Sequence, residues 1–107
     1  MVVVDRAFVE IGTETAYFRI EYDGKEYLVY YNVELNGKKL EGYSTRRFKS
    51  LEEARAFVDN IGNKIYELYE RMRKEIDEET RKCNEMLIRL RRGKMNELLN
   101  EVGRLLS

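Results

Sequence analysis

The chain has 107 residues, the size of one ordinary domain. With 43% hydrophobic and 37% charged residues it is no disordered tail, and one core is expected. Twenty Lys and Arg balance twenty Asp and Glu, which excludes a global field drawing the chain to nucleic acid or an anionic membrane; any such attraction must be local. No apolar run approaches the ~18 residues of a membrane span, Met1 to Val4 is too short for a signal-peptide core, and a cytoplasmic location is the default expectation.

The fold class predicted in chain order is α+β: a four-stranded antiparallel meander over residues 1–49, a long amphipathic helix over 50–92 and a short C-terminal helix over 94–106, in a single domain. Val2 to Ile11 reads as a leading strand, closed by a type II′ turn at Gly12-Thr13. Asp23-Gly24 and Asn36-Gly37 are two-residue type I′ hairpin signals, because both pairs tolerate the positive φ those turns need. Two-residue turns fix a register: Ala7 faces Phe18, Phe18 faces Val29, Ala16 faces Tyr31, Val33 faces Leu40 and Val29 faces Ser44.

One face then collects Val3, Ala7, Val9, Ala16, Phe18, Ile20, Tyr22, Tyr27, Val29, Tyr31, Val33, Leu35, Leu40 and Phe48, the expected core side. The other carries Arg6, Phe8, Glu10, Tyr17, Arg19, Glu21, Glu26, Leu28, Tyr30, Asn32, Tyr43 and Arg47. In that register Phe8, Tyr17, Tyr30 and Tyr43 form a row across the strands, and Arg6 stands directly opposite Arg19.

Ser50 followed by Glu53 makes a capping box. Leu51, Ala54, Val58, Ile61, Ile65, Leu68 and Met72 then recur at helical spacing, and the stripe continues through Ile76, Cys83, Leu87 and Leu90 after a phase slip near Thr80. Residues 60–63, around Gly62, offer a break, and Gly93 is a candidate C′ residue. An unbroken helix of some forty residues spans about 60 Å, far beyond the sheet it covers. A homodimer through Ile65, Leu68, Met72, Ile76, Cys83, Leu87 and Leu90 is therefore expected. Met95, Leu98, Leu99, Val102, Leu105 and Leu106 line one side of the last helix, which either folds back or packs on a second subunit. Glu52 and Glu53 open the long helix and Arg89, Arg91, Arg92 and Lys94 close it, as the helix dipole favours; the basic cluster is also a candidate phosphate contact.

Chemistry is sparse. Without histidine there is no Ser-His-Asp or Cys-His pair and no His zinc site, and no glycine-rich phosphate loop occurs, so no enzyme and no cofactor is expected. Glu75, Asp77, Glu78 and Glu79 spread around a helix as a solvated face does, so no metal is assigned to them. The Asp23-x-Lys25 pattern is accounted for by the turn, and the cross-strand pair Glu21 and Glu26 by Arg47 opposite Glu26. Cys83, the lone cysteine, is expected as a core thiol in a reducing compartment. The absence of His, Pro, Trp and Gln beside abundant Glu, Lys, Arg and Tyr is a composition of the thermophilic kind.

The aromatic row and its arginines fit a protein-partner surface, since aromatics and arginine are enriched at interfaces and the chain is neutral. They also suit a base-stacking platform for nucleic acid. No membrane partner and no small-molecule substrate is evident. Over Tyr17 to Asn60 the chain resembles the sheet-plus-helix DNA-binding module that opens many phage integrases, on the run Phe48-Lys49-Ser50-Leu51-Glu52-Glu53-Ala54. That resemblance implies DNA binding through the sheet.

Overall fold

A computed structural model describes residues 1–12, 14–35, 37–80 and 87–106. Four strands, β1 (Val2–Ile11), β2 (Glu14–Tyr22), β3 (Tyr27–Leu35) and β4 (Lys38–Phe48), form one antiparallel sheet in the order β1-β2-β3-β4. Two helices follow, α1 (Leu51–Thr80) and α2 (Leu87–Leu106). The α+β meander is thus as the turns and periods predict. Thr13, Asn36 and Cys83 lie outside the described residues, as do the side chains of Leu87, Arg89 and Leu90. Among the described residues no helix is long and apolar enough to cross a membrane.

The face assignment follows the period of two. Ala16, Phe18, Ile20, Val29, Val33 and Leu35 are buried in one cluster with Ala54, Val58, Ile61 and Ile65 of α1 and Met95, Leu98, Leu99, Val102 and Leu106 of α2. Both helices therefore cover the same face.

Register departs from expectation at three places. Phe18 pairs with Tyr31 and Ala16 with Val33, two residues away from the expected Val29 and Tyr31. The cause is Asp23. Its Oδ1 accepts from the backbone N–H groups of Lys25 (2.8 Å) and Glu26 (2.7 Å), and Asp23 N–H donates to the Glu26 carbonyl at 3.1 Å. An Asx-stabilised four-residue loop closed by Tyr22↔Tyr27 satisfies more backbone donors than a tight turn at Asp23-Gly24.

In β4, Tyr30 pairs with Tyr43 but Leu28 pairs with Arg47, so Ser44, Thr45 and Arg46 stand against Val29 alone. Ser44, expected simply opposite Val29, is buried in this bulge, where its Oγ accepts from Arg46 N–H at 3.4 Å. Glu26 accordingly lies in the loop, paired with neither Glu21 nor Arg47. A third irregularity at Val4 pairs Val3 with Glu21, which turns Val3 away from the core face on which the alternation had placed it.

Ser50 caps α1 as predicted, its Oγ accepting from Glu53 N–H at 3.2 Å. The helix then runs through Gly62 without the break offered at residues 60–63. Gly62 serves closeness: a Cβ there would lie 3.1 Å from Val9 Cγ2. Gly93 does not end a helix either, since it lies inside α2. Instead α2 returns along α1, with Lys94 Nζ 2.7 Å from Glu75 Oε2. Ile65 and Met72 are buried and Leu68 and Ile76 packed against the chain's own core. Of the apolar stripe that called for a helical dimer, the part from Ile65 to Ile76 is thereby packed within the chain; Cys83 and the side chains of Leu87 and Leu90 lie outside the described residues.

Candidate functional site

With both helices on one side, the other face of the sheet is open. The alternation that buries Phe18 and Val29 turns Arg6, Phe8, Tyr17, Arg19, Tyr30 and Tyr43 outward. Phe8 is 66% exposed and Tyr43 44%, with Tyr17 and Tyr30 half-buried between them.

The four rings do form a continuous row. Phe8 and Tyr17 are directly paired with centroids 5.2 Å apart, and Tyr30 and Tyr43 likewise at 5.5 Å. The middle link is diagonal, because the two-residue register change puts Asn32, not Tyr30, opposite Tyr17; those rings still meet edge-on at 6.3 Å. The same change brings Arg19 opposite Tyr30, with its guanidinium 4.3 Å from the ring centroid.

Arg6 faces Arg19 as expected, and the like charges are separated by local partners. Arg6 Nε donates to the Tyr17 hydroxyl at 3.2 Å, while Arg19 Nε lies 3.5 Å from Glu21 Oε2. That last contact is an ion pair without a formed hydrogen bond, and both atoms are buried. Glu21, only 6% exposed between Val3 and Leu28, also holds the Tyr43 phenol above its ordinary range by accepting its hydrogen bond. Lys39 Nζ stands 2.7 Å from Glu41 Oε2, and the Glu41 carboxylate accepts a hydrogen bond from the Tyr30 hydroxyl, raising that phenol. Lys39 first, and Tyr30 second, hold the Glu41 carboxyl below its usual range.

Sequence reasoning found the rings and arginines but missed Glu41, Lys39 and the burial of Glu21. Strand parity places all three outward, and the expected β3–β4 pairing already sets Glu41 diagonal to Tyr30. Only Glu21, paired with Leu28 and not with Glu26, needed the corrected register. Arg47 is outward beside Leu28, toward the Asp23 loop. Arg91 and Arg92 are exposed on α2, and Lys94 is tied to Glu75. Arg91, Arg92 and Lys94 thus lie on the helical layer, away from the aromatic row, while the Arg89 side chain is outside the described residues. Comparison with family models, curated proteins and solved structures finds no match.

Proposed function

We propose that the protein is a non-catalytic interaction module whose open sheet face binds a protein partner. The observation that carries this reading is the row Phe8-Tyr17-Tyr30-Tyr43, interleaved with both signs of charge and left uncovered by either helix. Exposed aromatics beside arginine are what protein interfaces concentrate at their energetic centres. Arg19 and Lys39 are ion-paired with Glu21 and Glu41, so much of the positive charge beside the rings is already neutralised within the face. The rings also meet one another tilted or edge-on, which favours packing among themselves over a flat stack of bases. The opposed Arg6 and Arg19 are the feature that speaks for nucleic acid, and the resemblance over Tyr17 to Asn60 points the same way.

The test pairs two measurements. A photo-crosslinker placed at Phe8 or at Tyr43 should capture the same polypeptide, one lost on Arg19→Ala substitution and not captured from Lys49. Anisotropy titrations with single- and double-stranded DNA and RNA should show no binding near physiological salt. Salt-dependent binding that a Tyr17→Ala/Tyr30→Ala double variant abolishes would replace this reading with nucleic-acid recognition.

A further inference from the structure

The sheet has two edges, β1 and β4, and they are unlike. The β4 edge is bulged at Ser44 to Arg46 and studded with exposed Lys38, Lys39, Glu41, Arg46 and Arg47, devices that discourage strand addition. β1 from Asp5 to Ile11 pairs regularly with β2 without a bulge, and the two exposed charges it carries on the open face, Arg6 and Glu10, are of opposite sign.

Which backbone groups β1 presents outward follows from its hairpin. The pair Ile11↔Glu14 encloses two residues, and a two-residue turn closes on a hydrogen-bonded pair. Alternation then bonds Ile11, Val9 and Ala7 to β2 and directs the N–H and C=O groups of Glu10, Phe8 and Arg6 away from it. Those three residues also carry their side chains on the open face.

We propose that β1 pairs antiparallel with β1 of a second copy of this chain, about a two-fold axis at Phe8. In that register Phe8 meets the partner's Phe8, Arg6 meets the partner's Glu10, and Ala7 meets the partner's Val9. The outward backbone groups of Arg6, Phe8 and Glu10 are all satisfied, and two symmetric Arg–Glu pairs form on the open face. The neighbouring even registers lose this match. A shift by two toward the start sets Arg6 against Phe8 of the partner subunit. A shift by four sets Arg6 against Arg6 of the partner subunit. An odd shift would place the aromatic face of one copy against the helical face of the other.

The helices support the same axis. α1 runs along β1, with Arg55 Nε 2.8 Å from Asp5 Oδ2, Gly62 against Val9 and Tyr69 at Gly12. Tyr66, one turn from Gly62 on that flank, is 54% exposed. Pairing at β1 sets the two copies of α1 side by side and covers Tyr66. It also joins the two aromatic rows into one spanning eight strands. The inference concerns the edge and not the partner of the open face, so either can fail alone.

The test is a charge swap read by sedimentation over a range of concentrations, with circular dichroism to confirm folding. The wild type should dimerise. Arg6→Glu and Glu10→Arg, each placing like charges across the axis, should raise the dimer dissociation constant about tenfold or more. The Arg6→Glu/Glu10→Arg double variant should restore it. Both side chains are exposed, so the fold survives either change. A monomeric wild type overturns the proposal. A dimer indifferent to both single reversals shows a different interface, and a double variant that fails to recover rules out this register.

Discussion

Arg19 draws together most of the open face: Tyr30 lies beneath its guanidinium, Glu21 beside it, and the hydroxyls of Tyr17 and Tyr43 within reach. The neighbouring Tyr30 phenol is raised above its ordinary 10.0 by its hydrogen bond to Glu41. For an acid raised on folding, the stabilisation is complete below the unfolded value and is lost as pH climbs through the folded one. Tyrosinate absorbance in the folded protein should therefore lag that of the unfolded chain, and Glu41→Gln should bring one phenol, identified by Tyr30→Phe, back down. A titration curve untouched by Glu41→Gln would refute the assignment. At the acid end Glu41 acts oppositely: held low by Lys39 and then Tyr30, it contributes above its ordinary 4.5 and loses that contribution as pH falls.

At the scale of elements, two helical glycines separate propensity from packing. Gly93 lies within α2 with open space where an alanine methyl would stand, so Gly93→Ala should stabilise the protein by about 0.5–1 kcal/mol. Gly62→Ala carries the same propensity gain but drives a methyl against Val9 Cγ2. Urea denaturation should show Gly62→Ala falling short of Gly93→Ala, and the addition of Val9→Ala relieving the clash. Equal gains would mean that α1 does not need glycine to approach β1. The same contrast explains what was legible in the sequence. Periods of two and of 3.6 placed the core residues and the outward rings, because amphipathicity is written in residue order. The break near Gly62 and the stop at Gly93 were misread because glycine is ambiguous until its neighbours across space are known. Register was misread because Asp23 and Ser44 spend their side chains on their own backbone, lengthening the loop and bulging β4. Both changes shift pairing by two, which moves Tyr30 from Tyr17 to Arg19 yet leaves every side chain on its face. The one-residue irregularity at Val4 lacks that immunity, and Val3 changed sides.

The whole molecule is two layers, a sheet and a helical hairpin, with extents of 55 × 21 × 20 Å. Its long dimension belongs to the helices, and α2 returning along α1 packs Ile65, Leu68, Met72 and Ile76 within the chain. The sheet's two edges carry different instructions. Deleting Thr45 and Arg46 would remove the two surplus residues of β4 and straighten that edge. Sedimentation should then show species larger than any the wild type forms; an unchanged profile would assign the protection to the β4 charges alone. A strand-by-strand polymer needs two joinable edges on every unit. With one edge bulged and charged, a sheet that joined this chain through β1 would meet at β4 an edge that discourages the next strand, so such pairing would stop at two copies and not continue into a fibril.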